Sequence, residues 1–304
     1  MIHSHTIAAP ASVDTWDFGG YPYGLAPLAL PDPASRLDSG DLTSVEHQLE
    51  LMATATEDPG VRAESVEQLF WFRWILGNQA VAALWQILDD ELDLVLRAEV
   101  ESAARNAAGL LDGYSVLLIY AGTPTRQLYH SLIRPAMARQ HRSFTGRWAQ
   151  DYIPVMEKLR VLRKVYRAEG RPDFVEALLA ASKRNHLAHV AVAAKLVPED
   201  DSLLKANDGR GVLGQPTEET AALYDAFYST TRELVSREHI VEQLVSRLRA
   251  AMRDVRTNGM YPADCDSRDE RPTDLWGDDL VEIEERHAEL FEATAHAAAA
   301  ALRG

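Results

Sequence analysis

The chain has 304 residues, of which 46% are hydrophobic and 25% are charged, and its formal net charge is −15 at pH 7. This composition is typical of a globular protein with a substantial core. The acidic balance argues against nucleic acid and against an anionic membrane as partners, because both are negatively charged. A single cysteine, Cys265, excludes an intrachain disulfide and any zinc or iron–sulfur site built from several cysteines.

The chain begins without a basic region followed by an apolar run, and no apolar stretch reaches about 18 residues. We therefore expect a cytoplasmic protein that does not contact a membrane.

Residues 1–43 are rich in proline and glycine and contain the aromatic stretch from Trp16 to Leu25. Disordered tails are depleted in aromatic residues, so this composition predicts a segment that docks onto a surface. That surface is either the core of the same chain or, across a subunit boundary, a neighbouring ligand site.

From residue 44 onward the hydrophobic period is helical, and residues 1–304 are predicted to form one domain with a helical core over 44–304. Strand signals are nearly absent, so the predicted fold class is all-α, a bundle of long helices. Residues 110–121 are apolar enough for either a helix or a strand, and Gly77 is a potential kink. Helices are predicted at 44–58, 62–108, 126–145, 147–168, 172–197, 217–257 and 278–302.

Several common catalytic motifs are missing from the sequence. It has no glycine-rich dinucleotide fingerprint, no phosphate-binding loop, no serine nucleophile elbow and no paired motifs of a di-metal bundle. Nucleotide-binding, serine-hydrolase and di-metal functions are disfavoured accordingly.

His186 and His189 lie three residues apart on a predicted helix, followed by the small apolar run Val190-Ala-Val-Ala-Ala. Residues at this spacing share a helix face, and small neighbours leave room for a flat, bulky ligand. A neutral imidazole on such a face suits metal or haem ligation. The alternative is a core histidine bonded to a backbone carbonyl.

The segment from Phe70 to Leu88 is apolar nearly all round, which predicts a buried helix. It carries two adjacent amides, Asn78 and Gln79, and buried amides require hydrogen-bond partners. They either bond each other or the backbone within the core, or they line a pocket.

Four arginines, Arg134, Arg139, Arg142 and Arg147, cluster in a chain that is otherwise acidic. Such a cluster can bind a substrate carboxylate or haem propionates. A solvated helix face is the alternative for each of them.

Four segments resemble, in the same chain order, segments of the tryptophan 2,3-dioxygenase superfamily. Tyr21-Pro-Tyr-Gly-Leu-Ala-Pro-Leu is similar to the family's early Tyr-Gly-x-Tyr-Leu-x-Leu segment. The segment from Phe70 to Leu88 is similar to the family's helix on the distal side of the haem. Thr123-Pro124 through Leu132-Ile-Arg-Pro-Ala resembles the Thr-Pro to Leu-x-Pro-Ala stretch. The run from His189 to Pro198 resembles the proximal helix, which favours His189 over His186 as the iron ligand.

The sequence also departs from the dioxygenases. Asn78 or Gln79 replaces the distal histidine, the motif that binds the substrate carboxylate is not intact, and Asn207 to Gly214 is only a distant counterpart of the loop over tryptophan. The pattern instead resembles the haem-dependent L-tyrosine 3-hydroxylases of secondary metabolism. Ala193 stands where some relatives carry the cysteine that binds haem covalently, so that route of attachment is excluded.

This resemblance implies a haem b enzyme that converts L-tyrosine to 3,4-dihydroxyphenylalanine with hydrogen peroxide or dioxygen. It implies that Asn78 or Gln79 contacts the oxidant or the phenol, and that Tyr21 or Tyr23 lies at the rim of the site. Arg142 or Arg147 would bind the substrate carboxylate, with Arg139 toward the haem, in a homo-oligomer. Two alternatives stay open: oxygenation of tryptophan or an indole by the same haem, and a non-enzymatic helical interaction protein.

Overall fold

The computed structural model describes residues 25–33, 35, 40–54, 60–98, 100–166, 172–197 and 216–303. Helices dominate these residues, which confirms the predicted all-α class. A π-helical turn, Tyr129–Ile133, joins α4 to α5. The α-helices are α1 (Thr43–Ala53), α2 (Val66–Ala98), α3 (Glu101–Ala121), α4 (Arg126–Leu128), α5 (Arg134–Gln140), α6 (Tyr152–Val165), α7 (Asp173–Leu196), α8 (Glu218–Phe227), α9 (Arg237–Asn258), α10 (Asp278–Glu285) and α11 (His287–Ala301).

Helices α2 and α3 form the centre of the bundle and pack against each other. Helices α7 and α11 cover α3, while α6 and α9 cover α2. α2 continues through Gly77, where a side chain would place its Cβ 2.9 Å from the Cβ of Ala121 in α3. This glycine therefore allows the two central helices to approach closely.

Four predicted helices are divided in the structure. The predicted helix 126–145 forms α4, the π-helical turn and α5, which ends at Gln140, and the predicted helix 278–302 forms α10 and α11, which are separated at Arg286. The predicted helix 62–108 ends at Ala98, and the next helix, α3, extends from Glu101 through the ambiguous apolar residues as far as Ala121. The predicted helix 217–257 is interrupted after α8 by Ser229, whose φ of 51° lies in the left-handed region, and by a strand. A new helix, α9, then begins with the Ser236 hydroxyl accepting a hydrogen bond from the backbone N–H of His239.

The strands β1 (Leu28–Leu30) and β2 (Thr230–Arg232) pair in parallel, with Leu28 opposite Thr230. Leu28 and Leu30 are fully buried. The side-chain amide of Gln243 in α9 exchanges two 2.8 Å hydrogen bonds with the backbone of Ala29. The end of the predicted docking segment thus packs on the core of its own chain, while residues 1–24 lie outside the described residues.

Arg73 of α2 and Asp254 of α9 form a salt bridge of 2.7 Å with both side chains fully buried. Arg73 also donates to the carbonyl oxygens of Gly259 and Met260, at 2.6 and 2.7 Å. The Tyr120 hydroxyl of α3 donates to the same carboxylate at 2.8 Å. Removing one member of such a buried pair typically costs about 3–5 kcal/mol, so this network fixes α2 against α3 and α9.

Lys195 fixes the end of α7. Its side chain is buried, and its Nζ donates to the carbonyl oxygens of Gly122 and Pro124 and to the Ser267 hydroxyl, at 2.7, 3.1 and 2.7 Å. Burial lowers the pKa of this ammonium group to about 8. The C-terminal end of α7 is therefore held on the turn that follows α3.

Among the described helices, none combines the length and the apolar character that a membrane span requires.

Candidate active site

One face of α2 carries Trp71, Trp74, Asn78 and Trp85, whose spacing of three, four and seven residues places them on the same side of the helix. Trp74 and Asn78 are half-buried, whereas Ile75, Leu76 and Gly77 between them are buried. The Asn78 side-chain amide donates to the Trp74 carbonyl at 2.8 Å. Its Oδ1 accepts no hydrogen bond from a described residue, so this oxygen is available to a ligand.

Gln79 points into the core instead. Its Nε2 donates to the carbonyl of Tyr228 at 2.6 Å, and its Oε1 accepts from Nε of Arg247 at 3.0 Å. Both ends of this fully buried amide are thus occupied by groups of α9 and of the turn after α8. The structure separates the two adjacent amides: Asn78 stands on the aromatic face, and Gln79 holds the turn at Tyr228 and Ser229.

The π-helical turn brings Tyr129 onto the aromatic face of α2, with its ring 5.7 Å from that of Trp74. π-helical turns often occur at functional sites. Burial raises the pKa of Tyr129 to about 12, although the nearby Arg134 lowers it. The Tyr129 hydroxyl is therefore protonated at neutral pH.

Further rings extend this surface across α8. Phe144 stacks on Tyr224 at 5.8 Å and lies 4.8 Å from Phe227, and Tyr224 lies 4.7 Å from Tyr228. Burial and, to a lesser degree, the Tyr129 phenol raise the pKa of Tyr228 far above its usual value. We call these rings the aromatic cluster: Trp71, Trp74, Tyr129, Phe144, Tyr224, Phe227 and Tyr228.

His130 connects the aromatic cluster to α7. Its Nε2 lies 3.1 Å from the carbonyl oxygen of Leu196, and its Nδ1 lies 3.2 Å from a guanidinium nitrogen of Arg134. Because Arg134 can only donate, Nδ1 accepts and Nε2 donates to the end of α7. The π-helical turn thus holds the cluster on one side and the histidine-bearing helix on the other.

His186 and His189 lie on the exposed face of α7, next to the exposed Ala193. The His189 imidazole makes no hydrogen bond with a described residue, so both ring nitrogens are available. Although part of the ring is open to solvent, desolvation by the protein and, to a lesser degree, the neighbouring His186 lower its pKa. At neutral pH His189 is consequently a neutral imidazole, the form that binds a metal.

The predicted arginines lie at the surface beside the aromatic cluster. Arg139, Arg142 and Arg147 are exposed, and the latter two flank the buried Phe144 of the cluster. The Arg147 guanidinium has no partner among the described residues. The segment that carries Arg142 and Arg147 therefore reaches from solvent into the cluster, as a carboxylate-binding rim requires.

Some predicted residues lie outside the described residues, namely Tyr21, Tyr23 and the loop from Asn207 to Gly214. No group of three metal-ligating side chains is found in the described part of the chain.

Sequence reasoning missed three tyrosines of the cluster: Tyr129, Tyr224 and Tyr228. The spacing of Tyr224, Phe227 and Tyr228 on one helix was the available signal, since i, i+3 and i+4 share a face. Their proximity to α2 depends on contacts between residues far apart in the chain, such as Trp74 with Tyr129 and Gln79 with Tyr228, which helical periodicity does not report.

The different environments of the adjacent amides predict different costs of substitution. Gln79→Leu leaves the Arg247 guanidinium and the Tyr228 carbonyl without these partners in the core, so we expect a loss of about 2–4 kcal/mol in the free energy of unfolding. The matched variant Asn78→Leu loses one bond to its own helix, and we expect less than about 1 kcal/mol. Urea denaturation followed by circular dichroism measures both, and equal losses would contradict the assignment.

Part of the chain is similar to a known protein family. Residues 30–177 match the model of a family described as SfmD 3-methyl-L-tyrosine peroxygenase. The match, a little under half of the chain, includes the aromatic face of α2, Tyr129 and the arginine-bearing segment, and it ends before His186. No curated protein gives a significant match to the chain. Over these residues the chain is similar to that family of peroxygenases.

Proposed function

We propose that this protein is a haem-dependent enzyme that uses hydrogen peroxide to hydroxylate L-tyrosine to 3,4-dihydroxyphenylalanine. The observation that carries the proposal is the match to a tyrosine peroxygenase family over the residues that build the aromatic face around Asn78. In the overall reaction one oxygen atom of peroxide enters the ring ortho to the hydroxyl group. The other oxygen leaves as water with the displaced hydrogen.

The residues of α7 fit a haem ligated by histidine. A haem iron needs one protein ligand on its proximal side, and His189 offers a neutral imidazole without a competing hydrogen bond. Ala193, one turn further along the helix, is small and exposed, so it leaves room beside the imidazole for a flat macrocycle. In this proposal His189 is the ligand, and His186 is its neighbour on the same face.

When bound, haem would supply the activation of peroxide and the oxidising equivalents. The chain's own residues would bind and orient the substrate. The aromatic cluster offers apolar rings against which a phenol ring can pack while water is excluded. Asn78 presents Oδ1 as an acceptor for a proton of peroxide or of the phenol.

The arginines would complete the site at its rim. Arg147 is the strongest candidate for pairing with the substrate carboxylate, because its guanidinium has no partner among the described residues. Arg142 and Arg139 are also exposed, and in this proposal they add to the positive field at the rim. A free amino acid would thus lie with its carboxylate toward solvent and its ring in the cluster.

The name of the matched family favours a second substrate, 3-methyl-L-tyrosine. This compound shares the phenol and the amino-acid group of L-tyrosine and differs by one methyl group on the ring. A methyl group in an apolar pocket changes affinity only modestly, by a factor of about 10–200, so the two substrates must be compared directly.

The proposal predicts the origin of the new hydroxyl group. The haem-supplemented protein, incubated with L-tyrosine and ¹⁸O-labelled hydrogen peroxide, should form dihydroxyphenylalanine that carries the label, as measured by mass spectrometry. Parallel reactions contain 3-methyl-L-tyrosine or L-tryptophan, and catalase serves as the control that removes peroxide. Label incorporation from dioxygen instead of peroxide, or turnover of tryptophan alone, would refute the proposed reaction.

The two histidines should respond differently to substitution. His189→Ala should lose haem while the helices persist, as measured by the haem absorption band and by circular dichroism. His186→Ala should retain haem, but it removes one cause of the low pKa of His189. Since the pKa of His189 then rises, its ring is protonated at higher pH, and acid release of haem should shift to higher pH.

The ligand assignment is wrong if His189→Ala keeps stoichiometric haem and His186→Ala does not.

A further inference from the structure

Two hydroxyl groups of the aromatic cluster bond to none of the residues that the structure describes. Tyr129 and Tyr224 are only 8% and 6% exposed, yet neither hydroxyl bonds to a described residue. Neither hydroxyl oxygen is among the fully buried polar atoms that lack a partner, so both keep accessible surface that a ligand can reach. Each hydroxyl can donate one hydrogen bond and accept others.

Both hydroxyls belong to one continuous aromatic surface. The ring of Tyr129 contacts Trp74, four residues before Asn78 on the same face of α2. The phenol of Tyr228 interacts electrostatically with the phenols of both Tyr129 and Tyr224. The Tyr228 ring lies 4.7 Å from the Tyr224 ring, so the tyrosines of the π-helical turn and of α8 belong to the same cluster of rings.

The groups around these tyrosines leave the hydroxyls neutral. Burial is the largest cause that raises the pKa of Tyr129 and of Tyr224. The carboxylates nearest Tyr224 are Asp151 and Asp225, and Arg232 binds both of them with distances of 2.8 and 2.7 Å. Neither carboxylate accepts a hydrogen bond from the Tyr224 hydroxyl.

We propose that the hydroxyls of Tyr129 and Tyr224 form a phenol-recognition site, which binds the ring hydroxyl of an aromatic amino acid and selects phenolic substrates over substrates without this group. The proposal deepens the proposed function and depends on it for the nature of the substrate. A few convergent polar groups in an apolar pocket are the usual means of orienting a small ligand.

The physical basis of this selectivity is the cost of unpaired groups. A phenolic ring would satisfy hydroxyls that the protein leaves free, whereas a phenyl ring would fill the same space and leave them unpaired. Sites built to bind a substrate hydroxyl reject the analogue without it for this reason.

Equilibrium dialysis of the haem-loaded full chain without peroxide tests the proposal, with L-tyrosine and L-phenylalanine as probes. We expect the wild-type protein to prefer L-tyrosine. Tyr129→Phe should weaken L-tyrosine binding about tenfold, as loss of one hydrogen bond does. The affinity of this variant for L-phenylalanine should be unchanged or higher, so the ratio of the L-phenylalanine to the L-tyrosine dissociation constant decreases. The double variant Tyr129→Phe/Tyr224→Phe should lose the remaining preference for L-tyrosine.

Tyr261→Phe is the matched control, because the Tyr261 hydroxyl donates to Glu284 in the C-terminal part of the chain and lies outside the aromatic cluster. It should keep the wild-type ratio, and thermal unfolding verifies that every variant is folded. The proposal is overturned if the double variant discriminates like the wild type, or if the wild type does not prefer L-tyrosine.

These outcomes separate the recognition site from the reaction. Preference for L-tyrosine that depends on the two hydroxyls, without peroxide-dependent product, would support the site and refute the hydroxylase. Formation of dihydroxyphenylalanine by a double variant with unchanged selectivity would support the hydroxylase and refute the site.

Discussion

The buried pair of Arg73 and Asp254 sets the orientation of α2, on which the candidate site depends. Successive residues of a helix point about 100° apart, so a side chain fixed toward α9 determines the directions of its neighbours. With Arg73 bound to Asp254 and to the two carbonyls after α9, Trp74 and Asn78 are turned toward the aromatic cluster. A rotation of α2 would expose this charge pair to apolar surroundings, which makes the orientation unique.

A second buried cation, Arg247 of α9, repeats this principle, because it binds Gln79 of α2, about 1.7 turns beyond Arg73. Arg247 has amide and carbonyl partners, namely Gln79, Gln243 and Ala26. Burial lowers its pKa to about 9, so the neutral dipoles around it compensate its charge only in part. Gln79 relays this network to the left-handed turn at Ser229, and strained backbone of this kind persists only where the surroundings fix it. The network thereby fixes the position of the Tyr228 ring in the cluster.

Helix α7, which carries the two predicted histidines, is fixed at its end by Lys195 and by the bond from His130 to Leu196. The histidines therefore stand on a helix whose end is fixed, while their ring nitrogens make no hydrogen bond with a described residue. The buried polar groups Arg73, Gln79, Lys195 and Arg247 hold the helices together, whereas Asn78 Oδ1 and the His189 ring make no hydrogen bond with a described residue. Asn78 and Gln79 illustrate this difference, because Gln79 bonds to the core while Asn78 keeps a free acceptor toward the aromatic cluster among the described residues.

The sequence predicted the all-α class and the buried nature of α2, because both depend on a hydrophobic period that local sequence contains. It did not distinguish Asn78 from Gln79, since their roles depend on partners that are 149 and 168 residues away from Gln79. The strands β1 and β2 are three residues each, too short to show alternation. His186 and His189 share one helix face, so spacing alone could not separate them.

The central claim is that this chain binds haem and a tyrosine-type substrate in one site. The most direct test is the absorption spectrum of the purified, haem-supplemented protein before and after addition of L-tyrosine, with L-tryptophan as the comparison. We predict an intense Soret band that shifts with L-tyrosine and not with L-tryptophan. A protein that retains no haem would contradict the claim and favour the alternative of a non-enzymatic interaction protein. A Soret shift with L-tryptophan alone would contradict the assigned substrate.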